Sequence, residues 1–351
     1  MLKFNLPEKT EKSITADILA ALLTLSLITV YYYGFRAVLI IFITLLTFII
    51  SDASCMKIRK KPYAAADLGA SVIAGLTLAL MMSAAVPYNI AVISALFASV
   101  IGRQAFGGQR HEIFNPAAVG FLFAALCFSD AMLSYPKPFD KPELASVIPL
   151  EMLSPSINRA LVASSSPLIT FMDVLIGKLP APMGTAYLLL LAVCALVLIC
   201  RRSVSAVGFF TQLGIVTVFS YIYFDYNMLA VFNMLSGSMF VFGLLFLSCV
   251  KKKTSRASSS WFILGVLTSI AFLTLEFYSK TENAIIFAVI IATPFGVDLD
   301  RHSFAEVLKK GSSGIIYKVR SRFNKQLVNV NETLALLDER GTEEQREEKG
   351  N

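Results

Sequence analysis

The stretch GGQRHEIFNPAAVG, residues 107–120, lies between two apolar runs of a chain that is otherwise strongly hydrophobic. Gly107 and Gly108 permit backbone torsions that other residues avoid. Pro116 biases Asn115 away from the helical region and suits the first turn of a following helix. The stretch therefore reads as a helix break followed by a helix start, with Asn115 capping the second helix. Non-helical backbone at membrane depth is tolerated only where protein or a water-filled cavity satisfies it. A re-entrant or interfacial loop is then the economical local structure, and the amides at such a helix start favour an anionic or carbonyl-bearing ligand. An ordinary connection with normal turn chemistry fits the same letters.

Composition makes membrane depth the relevant setting. Of 351 residues, 56% are hydrophobic and 16% charged, and the mean hydropathy is +0.68, far from the balance of soluble domains. Apolar runs at 16–33, 37–50, 69–86, 89–101, 116–132, 184–200, 205–224, 228–250, 261–275 and 284–295 approach the roughly 20 residues that cross hydrocarbon, which gives about ten spans, the shorter ones tilted, broken or re-entrant. Lys57, Arg59, Lys60 and Lys61 follow the second run, Arg103 and Arg110 the fourth, Arg201 and Arg202 the sixth, and Lys251 to Lys253 with Arg256 the eighth. Every even-numbered run thus ends on the cytoplasmic side, and both termini are cytoplasmic too. The opposite side receives short turns and one long loop, 133–183. The net charge of +7 follows from this topology and calls for no nucleic-acid partner.

The mixed-charge start and the lack of a small-residue cleavage site predict that the first span is retained. Cys55, Cys127, Cys194, Cys200 and Cys249 form no CxxC pair and read as small buried hydrophobes, with neither a disulfide nor a metal site expected. The end of the chain, from Glu332, is charged and nearly without aromatics, a helix stub fraying into a disordered tail.

The long loop divides the spans into five and five, and because five is odd any structural repeat must be inverted in the membrane. The expected organisation is a cytoplasmic segment 1–15, a first five-helix repeat 16–132, an external loop 133–183, a second five-helix repeat 184–297 and a cytoplasmic tail 298–351. Small-residue pairs in the third and eighth runs (Ala74-Gly75, Ser236-Gly237) and similar starts of the fifth and tenth (NPAAVGFLFAA, NAIIFAVIIAT) agree with a repeat; glycines are also common wherever membrane helices pack closely. Ionisable residues near the spans are few. Asp17 and Asp67 read as acids at helix starts, where they meet the positive end of the dipole; Asp67 reads equally as a pathway residue. Asp130 reads as interfacial, and His302 with Asp298, Asp300 and Arg301 as a solvated helix end.

FGGQRHEIFNPAAVGFLF, residues 106–123, resembles the GG-x-x-x-N-x-FNPA signature of the flavoprotein membrane subunits of redox-driven ion pumps: the D subunit of the Rnf complex and the B subunit of the sodium-translocating NADH:quinone reductase. DLGASVIAGLTLALMMSAAVP from Asp67, NMLSGSMFVFGLLFL from Asn233 and AIIFAVIIA from Ala284 are similar to further segments of that family in the same order. The resemblance implies an all-α membrane protein of two inverted five-helix repeats, like urea transporters, working in a bacterial cell (inner) membrane alongside other subunits of an Rnf- or Nqr-like complex. It implies a flavoprotein of electron and ion transport, a non-autonomous translocase subunit, with FMN joined by a phosphoester to an outer-side hydroxyl. That position falls on Ser166 in LVASSSPLITFMD, with Thr170 as a second hydroxyl. It also implies a second flavin, riboflavin or a quinone, near Gly107, Gly108, Phe114, Asn115, Pro116 and Asp67.

The chain departs from the family at Met183-Gly184-Thr185 and Cys249-Val250-Lys251, where acidic residues are usual, and at His111 and Glu112, where small or amide residues are usual. Intramembrane carboxylates are natural stations for a cation, so these departures bear on ion transport more than on fold. Two other functions stay open: a solute transporter or channel of the same fold, and a scaffold subunit without flavin. No Rossmann fingerprint or cysteine cluster is present, so NADH oxidation and iron-sulfur transfer fall to partners.

Overall fold

The computed structural model describes residues 11–60, 62–109, 112–136, 171–177, 181–185, 187–251, 258–279 and 283–301. Contacts divide the chain at Asp300; the unit beyond it lies, apart from Arg301, outside the described residues. The described residues are helical, without strands, and hold one isolated bridge between Val204 and Val250. In chain order the helices are α1 (Glu11–Tyr33), α2 (Phe35–Ile58), α3 (Ala65–Met81), α4 (Tyr88–Phe97), α5 (Pro116–Cys127), α6 (Ser129–Met132), α7 (Phe171–Ile176), α8 (Leu188–Cys200), α9 (Ala206–Tyr223), α10 (Met228–Gly237), α11 (Phe240–Gly243), α12 (Ser258–Leu273) and α13 (Ala284–Arg301). Three π-turns extend α4, α11 and α12: Ala98–Arg103, Leu244–Ser248 and Thr274–Tyr278.

Five of these continuous helices are long and apolar enough to cross a bilayer, and the α10–α11 pair, bent by 54°, makes a sixth span if taken as one. Among the described residues, α3, α5, α8 and part of α13 are shorter apolar helices. The protein is therefore a multi-pass membrane protein. Large apolar side chains remain exposed on α1, α2, α8 and α9, for example Leu27, Phe42, Leu196 and Ile222, as expected where lipid rather than water covers the surface. Inside the helices, hydroxyls of Ser26, Thr29, Thr44, Thr268 and Ser269 donate to the carbonyl four residues earlier, which satisfies them without a partner helix.

Several apolar runs are shaped differently from their expected form. The fifth breaks at Phe128 (φ −134°, ψ 48°), separating α5 from α6. The sixth becomes helical only at Leu188. The eighth breaks at Ser238 and Met239, the latter left-handed at φ 56°. The third helix ends at Met81, and residues 82–86 continue as buried non-helical chain. That segment is held by long-range bonds: Arg36 Nη2 donates to Ala85 O at 2.9 Å, Ser83 Oγ to Ser134 O at 2.5 Å, and the amides of Met183 and Gly184 to Met82 O and Leu80 O at 3.0 and 2.8 Å. The departure at Gly184-Thr185 thus sits directly on the end of α3. A Cβ on Gly184 would come within 2.7 Å of the Leu80 Cβ.

Asp17 does not cap a helix. α1 begins at Glu11, so Asp17 lies well inside it, buried, with its carboxylate taking Arg201 Nε at 3.0 Å and the Ser203 hydroxyl at 2.5 Å. The far connection between α8 and α9 supplies both partners.

Candidate functional site

The sequence from Ala98 to Pro116 builds the site. The π-turn passes into a 3₁₀ turn, Gln104–Phe106, which closes at two left-handed glycines, Gly107 (φ 113°) and Gly108 (φ 94°). Their amides donate to Gln104 O at 3.1 Å and Arg103 O at 3.2 Å. Those two donors therefore end the preceding helix and do not point to a ligand. On the other side Asn115 adopts an extended conformation (φ −72°, ψ 119°), and its Oδ1 accepts from Ala117 N at 3.1 Å, with Pro116 in the first turn. The helix break, the helix start and the Asn115 cap all stand as the residue types demand.

The two limbs are pressed together by small residues. A Cβ on Gly120 would meet Ala98 Cβ at 2.5 Å and Ser94 O at 2.7 Å, and Ser94 Oγ donates to Gly120 O. A Cβ on Gly102 would lie 3.0 Å from Pro116 Cα. Gly108 differs: a Cβ there would meet only Gln104 Oε1, at 4.0 Å. Its glycine is required by torsion, and among the described residues nothing lies closer. The rings of Phe106 and Phe114 meet edge to face, with centroids 5.7 Å apart.

Behind the glycines lies a buried polar network. Arg103, 3% exposed, donates through Nε to Glu112 Oε1 at 2.6 Å and through Nη1 to Asp52 Oδ2 at 3.3 Å and Ser71 Oγ at 2.9 Å. Its Nη2 donates to Ala70 O at 3.1 Å, and the guanidinium lies 5.1 Å from the centre of the Phe48 ring. Asp52, 1% exposed, also accepts from Ser71 Oγ at 2.6 Å and from Gln104 Nε2. Tyr63 Oη donates to Ser71 Oγ at 3.0 Å. Four chain segments, the ends of α2 and α3, the π-turn and the loop at Glu112, are thereby tied to one guanidinium. A buried charge must be paired and hydrogen-bonded to be tolerated, and the planar fork of arginine suits this many acceptors at once.

Of the sequence-predicted site residues, Gly107, Gly108, Phe114, Asn115 and Pro116 share this corner. Asp67 adjoins it: its Oδ2 accepts from Ala64 N at 3.0 Å, as a capping acid does, and its carbonyl lies 2.8 Å from the Ser71 hydroxyl. Ser166, Thr170 and His111 lie outside the described residues. The departure at Glu112 acquires a partner in Arg103. Cys249, the other departure, is buried, with Gln212 Nε2 3.4 Å from its sulfur, and Lys251 N donates to Ser203 O at 3.2 Å.

Asp52, Ser71, Arg103 and Gln104 are not legible as site residues in the sequence. Arg103 reads there only as a marker of topology, and Asp52 has no motif around it, although an acid inside the polar tail of an apolar run is itself a signal. Glu276, 3% exposed in the third π-turn, is a further buried carboxylate besides Asp17 and Asp52.

The chain is 33% identical over 111 residues to the D subunit of the ion-translocating oxidoreductase complex of Halorhodospira halophila, 31% over 109 residues to the same protein of Colwellia psychrerythraea, and 27% over 109 residues to that of Yersinia pestis. Each of these matches spans 31% of this chain and 31% of the relative. A far longer match, over residues 5–303, is to the NQR2, RnfD, RnfE family, and it encloses both the glycine break and the polar network behind it. By that match the chain belongs to the NQR2, RnfD, RnfE family.

Proposed function

We propose that this protein is the membrane subunit of a redox-driven, ion-translocating electron transport complex of the Rnf type, carrying flavin and passing electrons across the bilayer with the help of partner subunits. The observation that carries the reading is the helix broken at the left-handed Gly107 and Gly108 and restarted at Pro116, anchored from behind by Arg103. The aromatic pair Phe106 and Phe114 at this break fits a flat ring system, either a second flavin such as riboflavin or a quinone. When bound, flavin or quinone supplies the electron-carrying chemistry. The chain's own part is to hold the ring in place: Gly107 and Gly108 turn the chain through left-handed conformations, Asn115 and Pro116 start the following helix, and the Arg103 network keeps the two limbs in register. FMN attached at Ser166 would serve the opposite side.

The two-repeat architecture belongs to the same proposal. α4 and α12 both end in π-turns, and in both halves an asparagine, Asn115 or Asn283, directly precedes the next apolar helix. The start of the second helix of each half also reaches the chain just past the third, through Arg36 in the first turn of α2 to Ala85 and through Ser205 N at the cap of α9 to Cys249 O. These pairings support an inverted repeat, with both termini cytoplasmic by the distribution of basic residues.

The test is fluorescence. A phosphoester-linked flavin survives denaturation and glows on a gel, whereas a dissociable one is lost. Protein co-expressed with a flavin transferase is expected to give a fluorescent band that disappears in Ser166→Ala. A dark band whose sample releases flavin on denaturation would refute attachment and leave the redox role. No flavin in any form would replace the proposal by a transporter or a flavin-less scaffold.

A further inference from the structure

A groove of about 260 Å³ opens on the outer surface of the helices where the end of α2 meets the π-turn and 3₁₀ turn that follow α4, lined by Cys55, Ile58, Arg59, Val100, Ile101, Gln104 and Ala105. Its wall is almost wholly apolar, and Ile58, Val100 and Ile101 are exposed. One end is not apolar. Arg59 Nη1 donates to Gln104 O at 3.2 Å and Gln104 Oε1 at 3.1 Å, which fixes an exposed guanidinium at the rim. Lys57, in the last turn of α2, and Lys60, left-handed at φ 54°, are exposed beside it in sequence.

We infer that this groove is a binding site for one anionic phospholipid of the surrounding bilayer, with an acyl chain along the apolar wall and the headgroup phosphate on Arg59, while Lys57 and Lys60 add to the positive potential around it. Size and openness argue against a flavin, since pockets that enclose such molecules run to about 300–1,000 Å³ and bury most of the ligand. Charge argues for an anion. Three cations within four residues at a membrane boundary attract anionic lipid at about 1 kcal/mol each, or about fivefold in affinity, and arginine offers a phosphate its bidentate fork. A neutral quinone or a zwitterionic lipid gains little from that cluster. Gln104 links the groove to the functional site, because the same side chain donates to Asp52.

Cys55, in the wall, reports occupancy. Full-length protein in nanodiscs of phosphatidylcholine, with or without phosphatidylglycerol, is labelled with a small membrane-permeant maleimide and quantified peptide by peptide, the exposed Cys127 and Cys200 serving as controls. Phosphatidylglycerol is expected to slow labelling of Cys55 and leave the controls unchanged. Arg59→Gln should lower the phosphatidylglycerol concentration dependence about fivefold. Lys57→Gln with Lys60→Gln, which leaves the Arg59–Gln104 bonds in place, should lower it again by a comparable or larger factor. Equal protection in the two lipids would overturn the proposal, as would an unchanged dependence in both variants. Protection by an isoprenoid quinone in phosphatidylcholine alone would reassign the groove to a quinone tail.

Discussion

Replacing Arg103 with methionine tests the polar network directly, because methionine keeps much of the volume of the side chain and removes all of its charge. In the native protein four acceptors converge on that guanidinium: Glu112 Oε1, Asp52 Oδ2, Ser71 Oγ and Ala70 O. The side chains of Asp52 and Glu112 are only 2% and 10% exposed, so neither carboxylate can turn to water when the cation is gone. Removing one partner of a buried ion pair costs about 3–5 kcal/mol, most of it the penalty of the charge left behind. Arg103→Met is therefore expected to lose about that much unfolding free energy in an SDS titration of the purified protein. The same logic predicts a rescue. In Arg103→Met with Asp52→Asn and Glu112→Gln no uncompensated charge remains, and replacing a buried pair by neutral groups of similar size is often close to neutral. The triple variant should return to within about 2 kcal/mol of wild type. Arg103→Lys, which keeps the charge but not the fork, should fall between. A single variant within about 1 kcal/mol of wild type, or a triple variant no more stable than the single, would refute the reasoning.

At Gly108, where torsion and not space demands glycine, Gly108→Val should cost about 1–3 kcal/mol and lower bound cofactor, while Gly108→Asn, which tolerates the left-handed region, should cost less; equal losses in thermal melts would exclude a torsional origin. Gly120→Ala forces a Cβ into Ala98 and Ser94 O and should destabilise by about 1–3 kcal/mol, whereas Gly214→Ala, with nothing within 4 Å, should be neutral or stabilising by up to about 1 kcal/mol. Cysteines introduced at Lys141 and Lys252 should react with impermeant thiol reagent only from outside and only from inside, respectively; the reverse pattern would invert the topology.

What can be read without the tertiary structure is whatever local chemistry dictates. Two adjacent glycines followed by an Asn-Pro step describe a left-handed helix end and a capped helix start within ten residues of each other, and the backbone obeys. Family membership is legible for the same reason, since the motif's letters are consecutive. Apolar runs mark the helices but not their ends: the run at 228–250 is interrupted at the left-handed Met239, and the buried non-helical chain at 82–86 depends on bonds from Arg36, Met183 and Gly184, which are remote in sequence. Asp17 reads as a cap because a carboxylate near a helix start is ordinarily solvated, and only the fold brings Arg201 and Ser203, the latter 186 residues away, to meet it. The network behind the glycines is equally hidden. Asp52 and Arg103 are 51 residues apart, and neither carries a motif of its own. Their meaning is a matter of burial and mutual distance, quantities that arise only when α2, α3 and the π-turn pack. Sequence alone determined where the helix must break and what family the break belongs to; the packing of three helices decided which charge holds that break in place, because a buried ion is stable only where distant partners reach it.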